Sequence, residues 1–428
     1  MPGKAFPFWL DSNRSKRPAL APFAERPRAL PRTHLPAGGA RSAERPGSHQ
    51  LAVEALDCEA ATAYLAEWRD LAERSLEPNV FHEPACALAA AQHIVSGRRP
   101  YFIFVWEAQR AGALLAVCPL QLSGRLGSSF VRVWTHKQAA LGTPLLDRAH
   151  AAEALDAILA YCRRAFPEAA GLALPLLPAE GPVARLLRER AERDGRPVRL
   201  LDQHDRAVLS FGPDPDRFVE QAVAPPRLKK LHRARRRLEQ ECEVAFRMAR
   251  SPRDVRLAGE QFLTLEARGW KGKRGTALLN RPQLATFART LTRSLAKEGK
   301  CRIASFEVNG EPIAMLILLI SGDRAFTWKI AYDEAYAAFS PGVQLILELT
   351  RAQLGEGGIA LTDSCTAADH PMIGHIWPQT MPIADMFVGL GQDKSRAFAA
   401  ALERQILWRR LRTGLKQAVQ GLRRLRKA

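Results

Sequence analysis

One order of hydrophobic patterns runs twice along this 428-residue chain, and that restricts the folds open to it. In the first half, helical spacing at 60–76 and 84–95 precedes three strand patterns at 101–107, 113–122 and 130–134. A helix at 151–166, a strand at 171–177, a helix at 183–193 and a strand at 198–211 follow. The second half has helices at 226–241, 252–268 and 282–298, then strands at 302–308, 312–320 and 325–332. After them come a helix at 341–354, a strand at 359–363, a short irregular piece and a strand at 383–388. The repeat is one of element order, not of residues. Hairpin-connected strands feeding one crossover helix predict a mixed sheet in each half. Turn chemistry agrees, with Asn309-Gly310 and Gly322-Asp323 between strands and glycines 355, 357 and 358 after a helix. The Gly-Pro-Asp-Pro-Asp run at 212–216 marks a linker, so domains are expected at 51–211 and 217–392.

Charge is appended to these halves. Residues 1–50 hold nine Lys/Arg against three Asp/Glu. Residues 227–237 hold seven Lys/Arg and no acid, and 401–428 hold nine against one. With a net charge of +19, the remaining chain is close to neutral. The first segment is rich in Pro, Arg, Ala and Gly without periodicity, which predicts disorder for 1–50. In the last, Leu411, Leu415, Ala418, Leu422 and Leu425 recur at helical spacing among basic residues. That predicts a basic amphipathic helix over 393–428. Its basic residues, from Arg404 to Lys427, suit an anionic membrane or another acidic partner. Nucleic acid is a less favoured partner. No apolar run reaches the roughly 18 residues of a membrane span, and Pro and charge interrupt the first residues. A cytoplasmic protein, at most peripheral at the inner face of the membrane, is expected. Seven scattered cysteines without a Cys-x-x-Cys pair argue against disulfides or structural zinc. Asp369, His370 and His375 fit no metal spacing, so no metal is expected.

The richest stretch chemically is 328–342, a strand, a loop and a Ser-Pro-Gly helix start. Ser340 suits an N-cap and Pro341 a first helical position. Free N–H groups of Gly342, Val343 and Gln344 would meet the positive end of the helix dipole, where a phosphate binds well. The pattern fits an ordinary helix start and an anion cradle alike. In a regular strand, Trp328, Ile330 and Tyr332 face one side, and Lys329, Ala331 and Asp333 the other. Lys329 and Asp333 could pair; alternatively Lys329 meets a phosphate or carboxylate and Tyr332 or Asp333 handles a proton. Asp363 ends the neighbouring strand, and His370 lies seven residues on, a spacing open to a general-base pair. Glu266, Trp270 and Lys271 precede a flexible Gly-Lys-Arg-Gly-Thr run that could close over an acceptor.

Three motifs occur in order: LEARGWKGKRGTAL at 265–278, FTWKIAYDEAYAAFSPG at 326–342 and DSCTAADHPMIGHIW at 363–377. WRDLAERSLEPNVFHEP at 68–84 and LGTPLLD at 141–147 accompany them. Together with the element order, they resemble GNAT acyltransferases, in particular the large bacterial CelD-like branch associated with cellulose biosynthesis. The doubled order is also that of the Fem-type aminoacyltransferases. The resemblance covers about 50–390. It implies an α/β (α+β) fold of tandem GNAT-like domains, each a mixed, mostly antiparallel sheet flanked by helices, the second being catalytic. It implies an acyl-CoA, such as acetyl-CoA, as co-substrate, with Lys329, Ser340, Gly342, Val343 and Gln344 on the donor. Asp363, His370, Tyr332 and Asp333 become the candidate catalytic groups, and Glu266, Trp270, Lys271 and Trp377 the acceptor contacts. The acceptor would be an amine or hydroxyl of a small molecule or glycan precursor, in polysaccharide or envelope metabolism. One departure stands out. GNAT proteins carry Gln/Arg-x-x-Gly-x-Gly/Ala where this chain reads AAFSPGV, with a single glycine. An aminoacyl-tRNA donor and a non-catalytic scaffold are the alternative readings.

Overall fold

The computed structural model describes residues 33–34, 51–94, 99–107, 113–121, 130–212, 214–366 and 372–425; of 33–34, 413 and 415–425 only the backbone is described. The expectation of disorder for 1–50 falls outside these residues, apart from the two-residue strand β1 (Thr33–His34).

The first half runs β2 (Leu51–Leu56), α1 (Leu65–Glu73), α2 (Pro84–His93), β3 (Tyr101–Glu107), β4 (Leu114–Gln121), β5 (Phe130–Val133), β6 (Leu145–Leu146), α3 (Ala151–Ala165), β7 (Gly171–Pro178), α4 (Pro182–Arg193) and β8 (Val198–Ser210). The second runs α5 (Pro215–Ala222), α6 (Pro225–Glu241), β9 (Val244–Ala249), α7 (Pro252–Arg268), α8 (Trp270–Lys273), α9 (Pro282–Lys297), β10 (Cys301–Val308), β11 (Glu311–Ser321), β12 (Arg324–Tyr332), α10 (Pro341–Glu356), β13 (Leu361–Asp363), β14 (Gln379–Gly389) and α11 (Ser395–Leu425). Seven of these helices open on proline, whose fixed φ and missing N–H suit the first turn.

All the strands join one sheet, in the order β1-β2-β3-β4-β5-β7-β14-β8-β13-β12-β11-β10-β9, with β6 beside β4. The halves exchange strands at its centre. β14 from the end of the chain pairs antiparallel with β7, and β8 from the first half lies between β14 and β13. Side-chain alternation then builds separate layers. Phe102 and Phe104 of β3, with Met315, Ile317 and Leu319 of β11, join Trp68, Phe262 and Phe287 in one core shared by both halves. The other face is covered by α3 and α4 in the first half and by α5, α6 and α10 in the second. Phe398, Ala401 and Leu402 of α11 dock against Phe130 and Phe387.

The strands β2, β6 and β9 and the helices α5 and α8 escape the sequence reading. β2 (Leu-Ala-Val-Glu-Ala-Leu) consists of residues equally good in helices, and β9 is a half-exposed edge strand. α5 falls in the expected linker. In each case neighbours, not intrinsic propensity, decide the conformation.

Candidate active site

β12 and β13 are the site's foundation. They pair in parallel over Arg324–Leu361, Ala325–Thr362 and Phe326–Asp363, and then part. At the parting, Thr327 Oγ1 donates to the Ser364 carbonyl at 2.8 Å. Opposite Ile317 and Leu318, β12 carries one extra residue, so the register jumps between Thr327 and Lys329. Such a bulge re-aims the side chains after it. Trp328 therefore packs into the shared core, whereas Ile330 and Tyr332 enter the α10 core. This corrects the regular alternation that put Trp328, Ile330 and Tyr332 on one side.

On the α10 side, the helix start differs from a phosphate cradle. Ser340 sits at the N-cap in a left-handed conformation, φ 53°, and its side chain makes no capping bond. Its carbonyl accepts from both Val343 and Gln344 N–H at 3.0 Å. Among the predicted donors, that leaves the N–H of Gly342. A Cβ there would lie 3.3 Å from Met372 Sδ and 3.5 Å from Tyr332 Cδ1, so glycine keeps the approach open. Gln344 uses its side-chain amide on the Leu231 carbonyl of α6 at 2.9 Å. The exposed Lys229, Lys230, Arg233, Arg236 and Arg237 of α6 are thereby held beside α10, with Arg237 over the Phe339 ring.

On the other side, the α7–α8 turn and a loop from the first half meet β12. Glu266, buried at the end of α7, accepts from Lys271 Nζ at 2.9 Å and from Leu278 N–H at 2.7 Å. Lys271 also donates to the Ile330 carbonyl at 3.0 Å, clasping the turn to the strand. Gly272 is required here, because a Cβ would fall 1.7 Å from the Ala267 carbonyl oxygen. The first-half loop, 134–144, is held by Asn79 and His82, which both reach the Thr143 carbonyl, at 2.7 and 2.8 Å. Trp328 Nε1 donates to the Gln138 carbonyl at 2.8 Å and fixes the loop on the strand.

The charges in this region differ in how they are paired. Asp363 is buried and bound to Arg206 Nη1 at 3.1 Å, while its other oxygen accepts from Cys365 N–H at 2.7 Å. Arg206 Nη1 also donates to the Ala140 carbonyl at 3.1 Å. Lys329, by contrast, has no hydrogen bond or ion pair among the described residues. Its ammonium lies 5.5 Å from the Trp328 ring centroid. Burial, with the charge of Lys271 added, pushes its pKa down to about 8, partly offset by Glu266. His136 stacks between Trp134 and Phe287, at 5.1 and 5.7 Å, and is 8% exposed. Burial, then His82 and Lys329, push it down to about 3, so it is neutral. Its Nδ1 accepts from Gln138 N–H at 3.3 Å, which puts the ring proton on Nε2. That Nε2 and Gln138 Oε1 are buried without partners among the described residues.

The structure thus brings Lys329, Glu266 and Lys271 together and leaves other predicted residues elsewhere. Trp377 is fully buried in the α10 core, its Nε1 donating to Thr350 Oγ1 at 2.9 Å, so it meets no acceptor. Asp333 does not pair with Lys329: it caps the turn Glu334–Phe339 through Ala335 N–H at 2.9 Å. Asp363 is committed to Arg206 and is not a free base. Tyr332 remains beside Gly342. Trp270 is exposed, with Arg274 over its ring at 5.1 Å. His370 lies outside the described residues. His136, Gln138 and Arg206 were not foreseen, since each acts through a partner more than a hundred residues away and none belongs to a periodic pattern.

Residues 226–370 match the family model of the acetyltransferase (GNAT) domain. No curated protein sequence matches the chain. Among solved structures, FemX is similar with a TM-score of 0.52 at 10% identity, over 77% of this chain and 96% of that one. A tandem GNAT protein from the clavulanic acid biosynthesis pathway has a TM-score of 0.37 at 13% identity, over 80% and 99%. L-PGS from Bacillus licheniformis has 0.41 at 12%, over 68% and 85%. The fold is that of a GNAT acyltransferase, with a large mixed sheet flanked by helices.

Proposed function

We propose that this protein is an acyltransferase that moves an acyl group from a thioester, acetyl-CoA or another acyl-CoA, to an amine or hydroxyl. The parting of β12 from β13 carries this reading. It opens the sheet next to the α10 start, so a donor on the α10 side can present its acyl carbon through the gap. An acceptor then approaches from the α7–α8 side, where Lys329, Lys271 and Trp270 lie. In the reaction the nucleophile's lone pair attacks the acyl carbon, the C–S bond breaks, and the nucleophile's proton leaves with the thiol. Alignment across the gap supplies most of the assistance, with Tyr332, whose ring lies beside Gly342, as the candidate proton carrier. The second domain, 217–392, would be the catalytic one, with an acceptor of small-molecule or glycan-precursor type. Calorimetric titration tests the donor: acetyl-CoA should bind and Gly342→Val should abolish binding. An unaltered affinity in that variant would remove the proposed donor position.

One observation favours the aminoacyl-tRNA alternative. The basic face of α6 lies next to α10, where a longer polyanion than CoA could extend. Binding of a charged tRNA with a steep salt dependence, and none of acyl-CoA, would replace the first reading with this one.

The C-terminal helix supports a peripheral contact with anionic membrane. No helix among the described residues is long and apolar enough to cross a membrane. Beyond the docked Phe398 and Leu402, however, Leu407, Trp408 and Leu411 are exposed beside Arg410 and Arg412. Removal of residues 407–428 should abolish sedimentation with phosphatidylglycerol vesicles; sedimentation of the truncated chain would refute this role.

A further inference from the structure

We propose that His136 and Lys329 form a carboxylate-binding end of the acceptor site, so that the acyl-accepting amine belongs to an amino acid or a similar molecule with a carboxylate close to its amine. This rests on the acyltransferase reading above. The two residues come from different halves and are linked through edge-to-face rings, His136 against Phe287 and Phe287 against Trp328, at 5.7 and 5.9 Å. Each offers a donor that lacks an acceptor among the described residues: Nε2–H of His136, which is 8% exposed, and the ammonium of Lys329. A buried polar group without a partner costs stability, and such groups collect where a ligand completes them.

The charges select the ligand. Arg206 is balanced by Asp363, and Lys271 by Glu266. Among the described residues, Lys329 is left with one uncompensated positive charge. A carboxylate brings one negative charge and two oxygens in a plane, one for each donor. A phosphate would bring a second charge that no further cation among the described residues here balances. Gln138 Oε1, buried on the same loop without a donor among the described residues, suits the N–H of the acceptor. The bulge in β12 is what makes the arrangement possible, because it turns Trp328 away from the α10 core that holds its neighbours Ile330 and Tyr332.

The charged and titratable groups around Lys329 are Lys271 and Glu266 from α7 and α8, Cys365 after β13, and His136. With its pKa down to about 8, Lys329 is partly neutral in mild alkali. A bound carboxylate favours the ammonium and raises that pKa again, so binding takes up a proton above about pH 8 and almost none at about pH 6.5. The probes are N-acetylglycine, which places a carboxylate one carbon from an acylated nitrogen, and its neutral twin N-acetylglycinamide. Calorimetry in buffers of different ionisation heat should show the acid binding, the amide not binding, and proton uptake at about pH 8.5. Lys329→Met should weaken the acid by about tenfold or more. Equal binding of acid and amide, no binding of the acid, or proton-neutral binding at about pH 8.5 would each overturn the proposal, and all three are read on the unaltered protein. Acid binding without any acetyl-CoA binding would leave the pocket standing and remove the donor reading instead.

Discussion

Two cations stand near the centre of this sheet, Arg206 buried and Lys329 half-buried, and their surroundings are opposite. Arg206 of β8 has a carboxylate and a loop carbonyl in contact, both at 3.1 Å. Lys329, on β12, has a tryptophan ring and the repulsion of a second lysine. Both come from strands at the junction of the halves, and both are within the region where the first-half loop covers the second-half strands. The paired cation fastens strands that belong to different halves of the chain. The other, unpaired among the described residues, is held against burial and a second lysine, as expected of a group whose partner arrives from outside. A buried charge is thus no single kind of feature; its partner determines whether it contributes to assembly or to chemistry.

The comparison breaks most visibly at Asp363. Asp363→Asn leaves the Arg206 guanidinium buried without a counter-charge. Loss of one member of a buried pair costs about 3–5 kcal/mol, so urea denaturation should show a fall of that size. The double variant Arg206→Met with Asp363→Asn should recover most of it, since loss of the guanidinium removes the stranded charge. A single variant as stable as the parent would show that the pair does not fasten the strands.

Lys329→Met should act in the opposite direction. Folding lowers this lysine's pKa from 10.5 to about 8, so the unfolded chain holds its proton more tightly. Between those two values the unfolded state binds more protons, and stability rises with pH. Below about 8 the folded state carries the full penalty, of the order of 3 kcal/mol. The methionine variant should therefore exceed the parent by up to about that amount at neutral pH, with the difference shrinking as pH rises towards 10.5. Denaturation curves of both chains at several pH values give the difference directly. A constant gap across that range would mean that Lys329 is not the group responsible.

What could be read from the sequence follows from how local each cause is. The doubled element order was legible because prolines at helix starts, such as Pro252, Pro282 and Pro341, and turns such as Asn309-Gly310 act within a few residues. The motif around 265–278 was also legible, and Glu266 and Lys271 do meet β12. The bulge was not, since no Gly or Pro in FTWKIAY marks the extra residue; its position depends on Ile317 and Leu318 across the ladder. The pairing of Arg206 with Asp363 spans 157 residues, and no pattern within either strand announces it. Trp377 looked like a motif residue facing substrate, but its ring fills the α10 core and its N–H is used by Thr350. The Ser-Pro-Gly junction was correctly placed at a helix start, yet its Val343 and Gln344 N–H groups are occupied by Ser340.

Glu266 offers the finest adjustment of the contrast, because it balances Lys271 and also touches the field at Lys329 without contacting it. Glu266→Gln keeps an oxygen for Leu278 N–H but removes the charge that holds Lys271. The amide nitrogen then faces Lys271 Nζ donor to donor, so the charge-assisted bond is lost, at a cost of about 1–3 kcal/mol. Its electrostatic consequence is separate and has a definite sign. Glu266 now raises the pKa of Lys329 against the effects of burial and Lys271, so its neutralisation must lower that pKa further below about 8. Lys329 should then be less protonated at neutral pH, and N-acetylglycine should bind more weakly at that pH and begin its proton uptake at a lower pH than in the parent. Calorimetric pH profiles of the two chains measure the displacement. A displacement towards alkaline pH, or none, would mean that Lys329 is not the group whose protonation accompanies binding.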